Sequence, residues 1–233
     1  TWIEAADLSY EINEPDAYAL EAGLQLKEKH GGECVVLSLG PPRAAQTIRE
    51  ALAKGADRAI HVEQSESGET NPLETAKLLA AALQQEQPDL VLTGLQSDDA
   101  GSGQTGVIVA ELLGLPHATI IMDVQIEAGR LTLKRELEDG WFQHVEMPLP
   151  ALLTMQSGSN KLRYATLMGI KKAKTKELKT VQAAELGVTA VDGVTLERVY
   201  LPERTKRSQI FDGPPKEAAA QLVEKLKFEA RVL

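Results

Sequence analysis

Apolar and polar positions follow two different periods, and the two periods take turns along the chain. Residues 34–39 form a short, mostly apolar run that ends at Gly40, which predicts a buried strand of a parallel sheet. In the segment before it, apolar residues recur at spacings of three and four. This spacing predicts a helix that Asn13 caps and Gly31 ends.

The same order of strand and helix continues to about residue 125. Further strands are predicted over 59–63, 89–93 and 118–124, and further helices over 45–55, 71–87 and 104–114. Strands that alternate with helices of this length are typical of βαβ units. The pattern therefore predicts an α/β fold with a parallel sheet and helices on both faces.

The pattern changes after this point. Two alternating runs, 131–137 and 141–147, flank Glu138-Asp139-Gly140 and predict an antiparallel hairpin, and an apolar strand follows at 151–155. The end of the chain offers one helix, over 216–228. We expect residues 1–195 to form the α/β domain and 196–233 to form an arm that packs on a partner subunit, because a single helix has little core of its own.

Composition excludes several classes of protein. The chain has 233 residues, with 25 Lys and Arg against 34 Asp and Glu, a net charge of −9. A protein that wraps a nucleic-acid backbone needs a positive field, so no nucleic-acid partner is expected. No apolar run is long enough to span a membrane. Cys34 is the one cysteine, which excludes a disulfide framework.

Side chains for catalysis or metal binding are sparse. The histidines at 30, 61, 117 and 144 share no ligand spacing. His117 could approach a ligand, although a structural role is favoured. Glu136 and Glu138 are two apart on a predicted strand and would share a face, as an acid–base pair or as solvated charges. The five lysines of 171–180 fit a solvated face or a docking patch. No catalytic or metal-binding residue is predicted.

The most informative segment is 93–106, which leaves a strand, passes through a glycine-rich loop and enters a helix. Ligands of open α/β sheets bind at such positions, and the free N–H groups of the helix start favour an anion. Gln104 and Thr105 offer donors there, and Gly103 permits close approach. The segment is not a P-loop, because Gly-Lys-Ser/Thr is absent. An ordinary strand–helix loop is the alternative.

Several segments together resemble the β subunit of electron-transferring flavoprotein. The resemblance is closest in Pro-Leu-Pro-Ala-Leu-Leu-Thr at 148–154 and Arg-Tyr-Ala-Thr-Leu-Met-Gly-Ile-Lys-Lys-Ala-Lys at 163–174. Residues 38–41, 49–58, 104–106 and Arg135-Glu136 match as well. The similarity runs from about Asn13 to the end of the chain.

The resemblance implies an electron carrier and not an enzyme. Members pair with an α subunit that holds most of the FAD in a mobile domain, and they pass electrons from primary dehydrogenases to a quinone oxidoreductase or similar acceptor. The β subunit binds AMP, or a second FAD in bifurcating relatives. The implied fold is a Rossmann-like sheet of the adenine-nucleotide-hydrolase type. The implied compartment is the cytoplasm for a bacterial protein and the mitochondrial matrix for a eukaryotic one.

The resemblance also assigns residues. Nucleotide contacts fall on Asn13, Leu39, Gln96, Asp99, Ser102, Gly103, Gln104 and Thr105. A dehydrogenase-recognition loop falls on 156–171, with Leu167 as its anchor and Arg163, Tyr164 and Met168 beside it. Glu136 falls on the acid that contacts the mobile flavin domain. Without the resemblance, Leu167 would be interpreted as a core residue at a helix start.

The chain departs from the family at a few positions. Members begin with an apolar strand whose turn meets the nucleotide, whereas this chain begins at Thr1, so we expect the α/β domain to lack that first strand. Pro15 stands where some members have an aromatic residue near the flavin. Leu162 stands where proline is usual, and Gly103 where asparagine occurs.

Two other functions fit the same kind of fold. A nucleotide-hydrolysing or adenylating enzyme would need a base or a metal ligand, for which only Asp98 and Asp99 are at hand near the loop. A stand-alone nucleotide sensor resembling universal stress proteins would leave the apolar face of the terminal helix without cover.

Overall fold

The computed structural model describes residues 9–64, 71–189, 197–198, 200–201 and 208–232. Within these residues strands and helices alternate first, and a hairpin follows. The elements are α1 (Glu14–His30), β1 (Val35–Gly40), α2 (Ala44–Lys54), β2 (Arg58–Glu63), α3 (Pro72–Glu86), β3 (Leu90–Gly94), α4 (Thr105–Leu113), β4 (His117–Glu127), β5 (Arg130–Glu136), β6 (Phe142–Pro148), β7 (Ala151–Met155), α5 (Leu167–Ala173), β8 (Leu178–Gln182) and α6 (Pro215–Phe228).

The strands form two sheets. The first has the order β1-β2-β8 and is parallel throughout. The second has the order β3-β7-β4-β5-β6, in which β3, β7 and β4 are parallel and β5 and β6 add an antiparallel hairpin. The predicted α/β class, with a parallel sheet, a hairpin extension and a C-terminal helix, is confirmed. Residues 1–8 lie outside the described residues, so the expected lack of the family's first strand stays a prediction.

In the part of the chain that the structure describes, three apolar clusters form the core, and each joins helices to a different part of the sheets. One packs α1 on the second sheet around Leu153 and Met155, and another packs α2 on the first sheet around Leu52. The third lies between α3, α4 and the second sheet, around Val109 and Leu152. Each fully buried side chain of this size contributes about 1.5–3 kcal/mol to folding.

Helix α1 contributes to two of these clusters. Ala19 and Ala22 pack on the second sheet, whereas Leu20 packs with the cluster of α2 and the first sheet. The first turn of α1 lies directly on the end of β3, because a Cβ on Gly94 would lie only 2.7 Å from the backbone nitrogen of Asp16. The helix therefore joins both sheets, and its register is fixed at Gly94.

Two elements are not among those predicted from the pattern. Helix α5 has only 7 residues, which is too short to show a helical period. Strand β8 lies in the lysine-rich segment, and only its residues Leu178 and Val181 are partly buried. The expected shared face of Glu136 and Glu138 is also not seen, because β5 ends at Glu136 and Glu138 begins a 3₁₀ turn, Glu138–Gly140.

The chain divides into two compact units, one within Glu4–Leu196 and one within Glu197–Leu233. All of the elements from α1 to β8 belong to the first unit, and α6 belongs to the second. Leu222, Val223 and Phe228 of α6 are exposed. The boundary expected at 195–196 lies outside the described residues. None of the described helices is both long and apolar enough to cross a membrane.

Replacing Gly94 by alanine should destabilise the first unit. The new Cβ would lie 2.7 Å from backbone of Asp16 and from the Cβ of Pro15, so α1 would have to move. We expect the free energy of unfolding to fall by about 1–3 kcal/mol, measured by urea denaturation.

Gly23→Ala, on α1 itself, is the matched control. Its Cβ would meet Cys34 Sγ and Leu92 at an ordinary 3.6 Å, and alanine favours a helix over glycine by about 1 kcal/mol. The control should therefore keep or raise the stability. Equal urea midpoints for the two variants would contradict the close approach at Gly94.

Candidate functional site

The loop between β3 and α4 is held by the first turn of α1. The Asn13 side chain donates from Nδ2 to the Gln96 carbonyl at 2.9 Å, and its Oδ1 accepts from the Asp98 backbone N–H at 2.9 Å. Asp16 Oδ1 accepts from the Gly94 backbone N–H at 2.7 Å. Polar side chains of α1 thus fix the start of the loop, at the carboxyl end of a parallel strand.

The second half of the loop leads into α4 through glycines. Gly101 and Gly103 both have a φ of +61°, a left-handed conformation that favours glycine. Gly106 is buried, and a Cβ there would lie 2.7 Å from Thr93 Oγ1. Helix α4 therefore starts very close to the sheet. Gln104 precedes it without a side-chain capping bond, which leaves the Gln104 amide available beside the first N–H groups of α4.

Most of the predicted nucleotide contacts come together here. Asn13 lies beneath the loop, and six others belong to the loop or to the helix start: Gln96, Asp99, Ser102, Gly103, Gln104 and Thr105. All six except Thr105 are exposed. Leu39 belongs to the other sheet, near the carboxyl end of β1. The Asp99 carboxylate accepts from the Ala100 backbone N–H at 2.6 Å, a bond within the loop.

The arrangement is suited to an anion. Free N–H groups at a helix start carry partial positive charge, and flexible glycines let a phosphate approach the backbone. A shallow cavity of about 290 Å³ opens elsewhere, between α3 and α4 around Lys77, Ala81 and Leu112. Its lining includes none of the predicted contacts. We therefore take the loop, and not this cavity, as the candidate binding site.

The other candidate groups are the histidines and Cys34. His61 is buried and bonds the Gly40 carbonyl at 3.0 Å, whereas His117 is exposed at the start of β4. Burial raises the pKa of the Cys34 thiol, which makes it a weak nucleophile. Among the described residues, no group of three or more His, Cys, Asp or Glu side chains could hold a metal ion.

A second candidate surface lies around α5. Tyr164, Leu167 and Met168 are 93%, 89% and 62% exposed, and we call these three side chains the apolar platform. Thr166 caps α5 by accepting from the Gly169 backbone N–H at 2.9 Å. Leu167 is the first residue of this helix, but it is a surface residue and not a core residue.

Arg163, immediately before the platform, is turned inward. Its Nε donates to Glu21 at 2.7 Å, and its Nη1 donates to Glu28 at 2.6 Å. Burial raises the pKa of Glu21, but hydrogen bonds from Arg163 and Gln25 outweigh it and hold that pKa below its usual value. The hydrogen bond from Arg163 likewise lowers the pKa of Glu28. Both carboxylates are therefore charged at neutral pH.

Helices α2 and α5 cap each other. Arg49 on α2 donates from Nη1 to the Ala173 carbonyl at 2.7 Å and to the Lys176 carbonyl at 2.6 Å, just after α5. Lys176 in turn donates from Nζ to the Leu52 carbonyl at 3.0 Å and to the Ala56 carbonyl. Lys171, Lys172 and Lys174, in contrast, are exposed. The lysine-rich segment thus has one structural lysine among solvated ones.

Glu136 lies at the end of β5 and is half-buried. Its Oε2 accepts from Gln156 Nε2 at 2.9 Å, and Gln156 begins the segment that leads to the platform. Asn160, within that segment, donates to the Tyr18 carbonyl of α1 at 3.1 Å. The segment is therefore bonded to the hairpin at Gln156 and to α1 at Asn160.

Comparison with known proteins shows the family of the chain. A family model described as the electron transfer flavoprotein domain matches residues 1–186. The chain belongs to the electron transfer flavoprotein family. It is 38% identical over 227 residues to the electron transfer flavoprotein subunit beta of Methylophilus methylotrophus, covering 93% of this chain and 86% of the relative.

Eukaryotic relatives are similarly close. The beta subunit of Oryza sativa subsp. japonica, named as mitochondrial, is 37% identical over 236 residues, covering 100% of this chain and 91% of the relative. The beta subunit of Bos taurus is 37% identical over 218 residues, covering 92% of this chain and 83% of the relative. These matches confirm the resemblance. They also confirm that the chain is an electron-transfer protein and not an enzyme.

Some residues of this electron transfer flavoprotein chain were not among those predicted for the site. Asp16 holds the loop through Gly94, and Arg49 and Lys176 hold α5. Arg49 and Lys176 are 127 residues apart, so no local pattern could have paired them. Thr166 is of a residue type that is preferred at helix N-caps, and this signal was available in the sequence.

Replacing Asn13 by alanine should loosen the loop. The Asp98 N–H loses its acceptor and the Gln96 carbonyl loses a donor, so we expect faster amide hydrogen exchange over residues 95–99 and a stability loss of about 1–3 kcal/mol. Glu14→Ala, an exposed position in the same turn, serves as the control and should leave the exchange unchanged. An Asn13→Ala protein with unaltered exchange would overturn this account of the loop.

Proposed function

We propose that the chain is the nucleotide-binding subunit of a heterodimeric electron carrier and that it presents a docking surface to primary dehydrogenases. The observation that carries the proposal is the presence of two sites in one α/β unit. One is the glycine loop at the start of α4, and the other is the apolar platform on α5. Membership of the family gives the electron-transfer role. Within that role, the loop is proposed to bind the nucleotide and the platform is proposed to bind the dehydrogenase.

The loop is proposed to bind the phosphate of AMP. Gly103, Gln104 and Thr105 lie where α4 begins, and the Gln104 side chain makes no capping bond. Backbone N–H groups there would bind phosphate oxygens, and the amide and hydroxyl would add donors. A second FAD, as the resemblance implies for bifurcating relatives, would present the same phosphate chemistry. Neither nucleotide requires an acid or a base from this chain.

The platform is proposed to bind a dehydrogenase. Large apolar side chains that are almost fully exposed at one place on a soluble protein mark an interaction surface. Leu167 is the most suitable anchor, because it is 89% exposed at the start of a capped helix. Burial of such a side chain in a partner's apolar pocket contributes about 1.5–3 kcal/mol of binding free energy.

The partner in the heterodimer is proposed to be an α subunit that carries the redox-active FAD. The relatives are named as beta subunits, which supports a second kind of subunit. The exposed apolar side chains of α6, Leu222, Val223 and Phe228, are proposed to pack on it. Glu136, at the end of β5, is proposed to contact the flavin-bearing domain. The flavin supplies the electron chemistry. This chain supplies a rigid support for the α subunit and the docking surface.

Mass spectrometry of the ligand released from the purified heterodimer tests the nucleotide site. We expect one AMP for each heterodimer, in addition to FAD. Gly103→Val should abolish the AMP, because a β-branched residue strains the left-handed φ of +61° and crowds the helix start.

Gly101→Val is the matched control for this test. Gly101 has the same φ of +61° and no heavy atom within 4 Å of its would-be Cβ, but it is not a predicted contact. This variant should keep the AMP. Intact heterodimer that releases a second FAD would change the identity of the ligand, and heterodimer that releases no second nucleotide would contradict the binding function.

Replacing Leu167 by alanine should weaken docking without changing the flavin content. We expect the KM of the dehydrogenase for the heterodimer to rise roughly 10- to 100-fold, because the anchor loses most of its buried area. Leu112→Ala, at an exposed leucine on α4, is the control and should leave the KM unchanged. A KM that does not move in Leu167→Ala would exclude the platform as the docking surface.

A further inference from the structure

The platform alternates with residues that are anchored in the protein. Tyr164, Leu167 and Met168 are exposed, whereas Thr166 caps α5 and Gly169 lies against the Ala53 carbonyl of α2. Arg163 is the anchored residue at the start of this series. The position of each exposed side chain therefore depends on the anchored neighbours.

Arg163 makes four side-chain hydrogen bonds to two carboxylates of α1. Nε and Nη2 donate to the two oxygens of Glu21 at 2.7 and 3.0 Å, and Nη1 and Nη2 donate to the two oxygens of Glu28 at 2.6 and 3.3 Å. Its backbone N–H also points to Glu21, at 3.4 Å. A guanidinium has five N–H donors, so four of the five are used within the chain.

The two carboxylates are seven residues apart, about two turns of α1, and so lie on one face of the helix. Glu21 is only 5% exposed, which puts it beyond the reach of any partner. Two negative charges on one helix face repel each other unless a cation lies between them. Arg163 supplies that cation, and its planar fork fixes the direction from which the segment approaches α1.

We propose that Arg163 is a positioning residue: it acts through Glu21 and Glu28 to hold the platform in the orientation that dehydrogenases bind. This inference rests on the docking function proposed for Leu167. It differs from a contact role for Arg163, because the guanidinium faces α1 and not the surface that carries Leu167. The bound carboxylates, and not the partner, are its ligands.

The far end of α5 is held by other groups. Arg49 bonds the Ala173 and Lys176 carbonyls, and Lys176 bonds the Leu52 carbonyl. None of these bonds involves Arg163 or α1. Loss of Arg163 should therefore loosen the approach to the platform while α5 stays seated on α2.

The test compares Arg163→Gln, Arg163→Lys, Glu21→Gln and Glu28→Gln in the purified heterodimer, with Leu167→Ala beside them. For Arg163→Gln we expect the KM of the dehydrogenase to rise roughly tenfold with kcat at saturation within about twofold. Amide exchange should accelerate over residues 161–168 and stay unchanged over 171–176. Arg163→Lys should raise the KM less than Arg163→Gln does, because lysine keeps the charge but lacks the planar fork of the guanidinium.

Glu21→Gln decides between positioning and contact. Because Glu21 is buried, it cannot touch the partner directly, so the same direction of change in KM and less-than-additive effects in the double variant with Arg163→Gln would support the proposal. Glu28→Gln changes an exposed carboxylate and provides a milder variant if the others fold poorly. If Glu21→Gln and Glu28→Gln both keep a normal KM and normal exchange while Arg163→Gln is impaired, Arg163 acts by contact with the partner and the positioning role is wrong.

The two proposals fail in different ways. If Leu167→Ala leaves the KM unchanged, the docking function fails, and the positioning role fails with it. If Leu167→Ala raises the KM but neither Arg163→Gln nor Glu21→Gln does, the docking surface stands and only the positioning role is wrong. Flavin and AMP contents, measured in every variant, should match the unaltered heterodimer.

Discussion

The close approach between α1 and the end of β3 is the constraint on which both proposed functional surfaces depend. At Gly94 the backbone of the strand meets the backbone of the helix, with no room for a side chain. This contact fixes the position of α1 along its own axis. Asn13 then reaches the loop before α4, and Glu21 and Glu28 reach Arg163. One helix, about 25 Å long at 1.5 Å per residue, thus sets both the loop and the platform.

Local patterns predicted most of this fold, because helices and strands with one buried side leave a period in the sequence. The alternation up to β4 and the hairpin are of this kind, whereas the loop before α4 was predicted from its glycines. Helix α5 and strand β8 are too short and too exposed to leave one. Glu21 shows the same limit: on a helix with many charged residues it resembles a solvated side chain, and only Arg163, 142 residues away, explains its burial.

The resemblance to the family added what local patterns could not, and the structure then separated residues that the resemblance had grouped. It placed Arg163, Tyr164, Leu167 and Met168 in one recognition loop. In the structure, three of these side chains are exposed, and the fourth forms the ion pairs beneath them. Sequence similarity identifies the segment. The burial of each side chain decides which residues can touch a partner and which can only hold the others in place.

On the proposed function, this separation has an energetic reason. A carrier must release one partner to meet the next, which favours a small contact surface such as three apolar side chains. A small surface gives useful affinity only if little entropy is lost on binding, so its geometry must be fixed beforehand. The chain is acidic, with a net charge of −9, yet Lys171, Lys172 and Lys174 are exposed close to the platform in sequence. Such charges affect mainly the rate of encounter, whereas a held Leu167 determines how long the complex lasts.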